Sequence, residues 1–188
     1  LSISSNKNDF EYLEITNISD NLSVDLGALD FVNGIQFDFS SSASSIIPPK
    51  GAVVLVKNLS AFRARYGDNA FVIGVYDNSL SNAGEKLKLA YALNTTIIDL
   101  TYDDSDAWPK SPDGGGHSLV LSDPISSPDH SLAASWTSST LRGGSPGFPE
   151  PDLLAFGDYI ANFFTSEEMA AIEISGPLAD PDNDGYSN

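Results

Sequence analysis

Three aspartates alternate with other residues near the C-terminus, and a glycine follows the third, a pattern typical of a calcium-binding loop. Asp180, Asp182 and Asp184 would occupy positions 1, 3 and 5 of such a loop. Calcium is a hard cation that takes roughly six to eight oxygen ligands, and carboxylates supply them. Gly185 at position 6 allows the sharp turn that brings the three carboxylates to one centre.

Two further ligands of this loop would come from residues after the glycine. Position 7 offers the Tyr186 carbonyl, and position 9 offers Asn188, directly or through water. Position 12 should be a bidentate glutamate, and it would lie beyond residue 188. We therefore expect a calcium ion to bind here in a longer polypeptide, with a solvated acidic terminus as the alternative.

A second acidic cluster and two tryptophans offer weaker signals. Asp103, Asp104 and Asp106 follow a β-prone run and suggest either a loop calcium site or, more simply, a solvated loop. Trp108 and Trp136 could form a platform on which sugars stack. Both also suit packing in a core, and this second role is favoured.

The residue types that catalysis needs are present but poorly placed. Ser118, His117 and Asp113 could be drawn as a triad, yet adjacency in sequence is not triad geometry, and no nucleophile elbow surrounds the serine. His130 is the other histidine, and two distant histidines do not make a zinc site. With no cysteine, thiol nucleophiles and disulfides are excluded. The sequence predicts a protein that is not an enzyme.

Composition limits the partners. The 188 residues include 26 acidic and 9 basic side chains, which gives a net charge of −17. Such a charge repels nucleic-acid phosphates and anionic membrane surfaces, so binding to nucleic acid is not expected. No apolar run approaches the roughly 20 residues that span a bilayer, so membrane insertion is not expected either. A hydrophobic content of 41% is enough for a packed core.

Short β-prone runs separated by turn signals fill the first three-quarters of the chain. Ile35, Phe37 and Phe39 alternate with polar residues, as in a strand with one wet face, and the preceding Asn33-Gly34 pair predicts a tight hairpin turn. A short helix through Tyr66 would be capped by Ser60, and the glycine run at 113–116 would form a hairpin turn. The predicted strands cover residues 10–15, 35–39, 52–56, 72–75, 86–89, 96–102 and 118–121, and the run at 52–56 should be buried on both faces.

The composition changes after the proline-rich linker at 146–151. Asp152 can cap a helix, and Thr165 with Glu168 forms the capping box of a second one. The apolar positions of the first helix have helical spacing: Leu153, Phe156, Ile160, Phe163 and Phe164. We therefore predict an all-β domain at residues 1–149, with almost no room for crossover helices, and a short α-helical C-terminal extension at 150–188.

The ordered set of turns and strands resembles the lamin-tail domain. Each motif is common by itself, but together they cover residues 10–149 in the order of that family. The matching pieces are Glu11-Tyr12-Leu13-Glu14-Ile15-Thr16-Asn17, Gly27 with Leu29, 35–39, Ile47-Pro48-Pro49-Lys50-Gly51 before 53–56, Phe62, Tyr66-Gly67, 80–89, Ile98-Asp99, Tyr102, Trp108-Pro109, 113–119, Trp136 and 143–147.

This resemblance implies an immunoglobulin-like antiparallel β-sandwich with no catalytic residues to transfer. It also implies a bacterial protein at the cell surface or outside the cell, in which the domain is a non-catalytic accessory module of a larger exported polypeptide. Its role would be adhesion, assembly or protein–protein contact with other domains of the parent protein or with cell-surface components. The tail is similar to C-terminal extensions of exported proteins from environmental bacteria. A carbohydrate-binding module attached to a secreted hydrolase is the alternative.

Overall fold

The computed structural model describes residues 6–92, 95–105 and 107–150. These residues, apart from Glu150, belong to the unit Leu1–Pro149. They are mostly β-strands with one short α-helix, so the predicted all-β class is confirmed in this coarse form. The eleven strands of the described residues are β1 (Tyr12–Thr16), β2 (Val24–Asp25), β3 (Leu29–Asn33), β4 (Phe37–Asp38), β5 (Ile46–Ile47), β6 (Ala52–Val56), β7 (Val72–Val75), β8 (Glu85–Tyr91), β9 (Thr95–Tyr102), β10 (His117–Leu121) and β11 (Trp136–Arg142).

Strand β6 is buried on both faces, as its continuous apolar sequence predicts. It is the middle strand of a three-stranded sheet ordered β1-β6-β7. Because successive side chains of a strand point to opposite faces, Val53 and Leu55 enter the main core while Val54 and Val56 enter a smaller cluster with Phe62. These four of the five β6 side chains are fully buried.

The smaller cluster is covered by the helix α1 (Leu59–Tyr66). The Asn58 side chain accepts a hydrogen bond from the Ala61 amide at 3.1 Å and so caps the helix. The prediction that Ser60 provides this cap is wrong, since the helix begins one residue before it. Phe62 and Tyr66 pack together with ring centroids 4.8 Å apart.

The predicted purely antiparallel architecture is also wrong at one place. Strands β6 and β7 pair in parallel, with Val56 opposite Val75. Parallel neighbours need a crossover connection, and α1 together with residues 67–71 provides it. The predicted short helix through Tyr66 is therefore a crossover helix, and its eight residues fit the little room that the sequence leaves for one.

A second sheet has the strand order β4-β3-β8-β9, and all its pairs are antiparallel. Leu89 on β8 lies opposite Phe31 on β3, and Leu87 lies opposite Leu100 on β9. These side chains join Val53 and Leu55 in one apolar cluster, so both sheets contribute to the main core. Two short pairs, β2-β5 and β10-β11, complete the strand pairing of the described residues.

The alternating run at 35–39 does not form one strand. Strand β4 is two residues long, and a 3₁₀ helix at Phe39–Ser41 follows it. Asp38 causes the change, because its side chain accepts a hydrogen bond from the Ser40 amide at 2.8 Å. Ile35 and Phe39 are nevertheless fully buried, so the alternation correctly predicted which side chains enter the core.

The hairpin of β10 and β11 is fastened to the three-stranded sheet and to α1 by tyrosine hydroxyls. Tyr12 is hydrogen-bonded to the Ser118 hydroxyl at 2.6 Å, and Tyr66 donates to the Gly143 carbonyl at 2.8 Å. The glycine run at 113–116 is therefore not a hairpin turn, since it joins β9 to β10 and these strands lie in different sheets. The predicted C-terminal helices lie outside the described residues.

Truncating the centre of β6 should cost far more stability than truncating an exposed leucine of the same size. Leu55→Ala removes a fully buried side chain and should lower the free energy of unfolding by about 2–5 kcal/mol. Leu22 is 67% exposed, so Leu22→Ala should stay within about 0.5 kcal/mol of the native protein. Urea denaturation of both variants measures the difference, and equal losses would contradict the two-sided burial of β6.

Candidate functional site

The predicted calcium ligands Asp180, Asp182, Asp184, Tyr186 and Asn188 lie outside the described residues. Within the part of the chain that the structure describes, no group of three or more histidine, aspartate or glutamate side chains is arranged to hold a metal ion. The described ranges also contain no helix long and apolar enough to cross a membrane.

Two members of the second acidic cluster serve their own loop. The Asp103 carboxylate accepts a hydrogen bond from the Ser105 amide at 2.8 Å, and this bond lowers the pKa of Asp103. Lys110 donates to the Asp104 carbonyl at 2.8 Å. Asp106 lies outside the described residues. These contacts cap and close the turn of this loop.

The two tryptophans pack against each other. Their ring centroids are 6.4 Å apart and the planes are inclined by 35°. Trp108 is only 8% exposed, while Trp136 is partly exposed and donates its indole N–H to the His130 carbonyl at 2.9 Å. A sugar platform needs aromatic faces open to solvent, and Trp108 does not offer one.

Two of the three residues from which a triad could be drawn are engaged elsewhere. His117 donates from Nδ1 to the Ser139 carbonyl at 2.8 Å. The Ser118 hydroxyl bonds to Tyr12, and its backbone amide donates to the Ser139 hydroxyl at 2.8 Å. Serine and histidine therefore make no hydrogen bond to each other, and both hold β10 in place.

A glutamate that sequence reasoning did not single out holds the 77–84 segment between β7 and β8. Glu11 accepts hydrogen bonds from the Leu80 amide at 2.9 Å and from the Tyr76 hydroxyl at 3.3 Å. Lys57 lies over the Tyr76 ring, 5.9 Å from its centroid. Burial raises the pKa of Glu11, although the hydrogen bonds and the Lys57 charge act in the opposite direction.

Glu85 holds the other end of the 77–84 segment. Its carboxylate accepts from the Ser81 amide at 2.7 Å and from the Tyr102 hydroxyl at 3.0 Å. Burial, and next the negative charge of Glu85, raise the pKa of Tyr102. Both glutamates therefore act as acceptors for backbone amides and tyrosines that are distant in sequence, and together they form a carboxylate–tyrosine network.

An open acidic groove lies beside the β3–β4 hairpin. Asp30 and Asp38 are cross-strand partners there, and Gln36 and Asp77 line the same groove. Desolvation and the neighbouring Asp38 raise the pKa of Asp30, whereas hydrogen bonds from Ser40 lower that of Asp38. This groove was also not predicted, because its carboxylates are separated by up to 47 positions, from Asp30 to Asp77.

Comparisons with protein-family models, with curated proteins and with solved structures found no match. The resemblance to lamin-tail domains therefore stays a prediction.

The raised pKa of Glu11 predicts how its replacement changes the pH dependence of stability. A carboxyl whose folded pKa exceeds its unfolded value stabilises the fold below the unfolded pKa, and this contribution is lost as the pH rises through the folded pKa. Glu11→Gln cannot titrate. As the pH falls from 7 towards 4.5, the free energy of unfolding of the native protein should therefore increase relative to that of the variant. The increase should be less than about 1 kcal/mol, because solvent screens this half-buried group.

Urea denaturation at several pH values measures this difference. Tyr76→Phe offers a matched comparison, since it removes a hydrogen bond to the ionised carboxylate and so should raise the pKa of Glu11 further. The pH dependence should then extend to a higher pH. A difference in the free energy of unfolding between Glu11→Gln and the native protein that is constant with pH, or that changes in the opposite direction, would contradict the raised pKa of Glu11.

Proposed function

We propose that the domain is a non-catalytic contact module of the lamin-tail type, carried by a larger exported bacterial protein at the cell surface or outside the cell. The observation that carries this proposal is that the groups suited to catalysis are used by the fold. His117 is bonded to a backbone carbonyl, and Ser118 is bonded to Tyr12. An enzyme would keep such groups free to reach a substrate.

The finer proposal for the fold is an immunoglobulin-like β-sandwich. Its support is the main core, which is filled by side chains of the three-stranded sheet on one side and of the four-stranded sheet on the other. Two packed sheets with a common apolar layer are the basis of that architecture. Two features depart from the purely antiparallel form: the parallel β6-β7 pair lies within the three-stranded sheet, and the helix α1 packs on the face of that sheet opposite the main core.

The partners proposed for the module are other domains of the parent protein or cell-surface components. The net charge of −17 supports a soluble module that does not bind nucleic acid. Several large apolar side chains are exposed and are available for contact: Ile18, Leu22, Val24, Ile46, Ile125 and Leu132 are each at least 40% exposed.

Deletion of residues 1–149 from the protein in its own host tests this role. The deleted protein should be lost from the surface fraction and appear in the medium, which immunoblotting of both fractions would show. The isolated domain, assayed against polysaccharides, esters, phosphoesters and peptides, should turn over none of them. Unchanged surface retention, or turnover that follows the purified domain, would overturn the proposal.

A carbohydrate-binding module is the competing proposal. Replacement of Trp136 distinguishes it from the proposed contact module. If the ring serves packing, Trp136→Ala should lower the free energy of unfolding by about 2–3 kcal/mol, less than for a fully buried tryptophan. It should leave migration through polysaccharide-containing native gels unchanged. Retardation of the native protein in such gels, abolished by Trp136→Ala without loss of stability, would favour sugar binding instead.

We also propose that calcium binds the loop formed by Asp180, Asp182 and Asp184, with the Tyr186 carbonyl and Asn188. Its support is the sequence pattern alone, in which ligands alternate before a glycine. Calcium should raise the melting temperature, because a ligand that binds only the folded state stabilises it.

The calcium test uses residues 1–188 and, where the gene continues, the chain with the residues that follow. Thermal melts with calcium and with excess chelator should differ, and more so in the longer chain. Asp182→Asn combined with Asp184→Asn should abolish the shift. The control pair Asp103→Asn and Asp104→Asn should retain it. A melting temperature that is the same with calcium and with chelator in both chains would refute calcium binding.

A further inference from the structure

The turn between β3 and β4 contains Asn33-Gly34, the only Asn-Gly pair in the 188 residues. Asn33 is exposed at the end of β3, and Gly34 has a φ of 78°. Glycine adopts this left-handed conformation without strain, and it has no side chain to shield its backbone amide from the preceding residue. The Asn33 side chain makes no hydrogen bond to any other residue in the described ranges.

We propose that Asn33 is a site of spontaneous deamidation in the folded protein. The Gly34 backbone nitrogen loses its proton to solvent base and attacks the Asn33 side-chain carbonyl carbon, Cγ. A bond forms between this nitrogen and Cγ, the bond from Cγ to Nδ2 breaks, and the side-chain nitrogen leaves as ammonia. Water then opens the cyclic imide at either carbonyl, giving aspartate or its β-linked isomer. No oxidant or external catalyst is needed.

The surroundings of the turn decide what the product does to the structure. The Gly34 carbonyl accepts a hydrogen bond from the Asn78 side chain at 3.3 Å. Two residues later, Gln36 and Asp77 exchange backbone hydrogen bonds of 3.2 and 3.0 Å. These bonds join the turn between β3 and β4 to the segment that follows β7.

The β-linked product adds one methylene group to the backbone immediately before Gly34. Gly34 is closely packed, since a Cβ there would collide with Leu87 and with the Lys86 carbonyl oxygen, and the added length must shift the backbone next to these contacts. Ile35, fully buried in the main core, follows directly. The isomer should therefore release the Gln36–Asp77 pairing, whereas ordinary aspartate adds a charge and leaves the backbone unchanged.

Two other asparagines of the described region are better protected. Asn17 is 5% exposed, and its side chain donates to the carbonyls of Leu22, Ile47 and Pro48. It also precedes the branched Ile18, which hinders attack by the next amide. Asn58 holds its side chain in the cap of α1. We therefore expect Asn33, the only asparagine followed by glycine, to react before Asn17 and Asn58.

The experiment ages the folded chain at mildly alkaline pH and follows it by intact mass and peptide mapping. The peptide containing Asn33 should gain the mass of a replacement of NH₂ by OH and separate into two isomers. The peptide containing Asn17 should remain unchanged. A synthetic peptide with the residue 29–38 sequence provides the unfolded reference. Reaction in that peptide without reaction in the folded chain, or earlier reaction at another asparagine, would overturn the proposal.

Two variants separate the chemical step from its structural effect. Asn33→Gln should lose the product, because the longer side chain would have to close a larger ring. Asn33→Asp carries the charge of the product on an ordinary backbone and should keep the hydrogen-exchange protection of the Gln36 and Asp77 amides when fresh. The aged native protein should lose that protection in the isomerised fraction. Retained protection in an isolated isomerised fraction would contradict the predicted release of the turn.

Discussion

Burial of β6 on both faces is the constraint on which the rest of the described structure depends. Val53 to Val56 form four consecutive apolar positions, and none of their side chains touches solvent. Full burial of an aliphatic side chain stabilises a fold by about 1.5–3 kcal/mol relative to its exposure. A strand that is stabilised by burial on both faces needs other elements packed against each face. The four-stranded sheet covers one face, and α1 covers the other, which also accounts for the parallel position of β7.

Polar groups join these layers where apolar contact ends. Asn17 bridges three carbonyls, while Glu11 and Glu85 hold the 77–84 segment through amides and tyrosine hydroxyls. A chain of net charge −17 would otherwise lose stability by self-repulsion. Placing carboxylates against N–H and O–H donors lets part of that charge stabilise the native structure. The same donors compete with protonation at Glu11, where burial nevertheless has the larger effect on the pKa.

Local sequence patterns correctly predicted the strands that are stabilised by burial of their apolar side chains. They failed where pairing with a distant strand, or a single capping side chain, determines the local structure. The apolar run of β6 and the alternation in β8 correctly indicate strands. Strand β11 was missed because Trp136–Arg142 is mostly serine, threonine and arginine, and its pairing with β10 is what makes it a strand. The network around Glu11 joins residues up to 69 positions apart, a separation at which no sequence pattern signals contact.

The contact role and the calcium site are proposed for different parts of the chain, so the two proposals are independent of each other. In the described region, His117 and Ser118 are both engaged in hydrogen bonds within the fold. The residues proposed to bind calcium all lie after position 179. A contact role for the β-domain therefore depends on its surface, and a calcium site depends on the acidic loop alone. Either proposal can fail without the other, because no residue serves both.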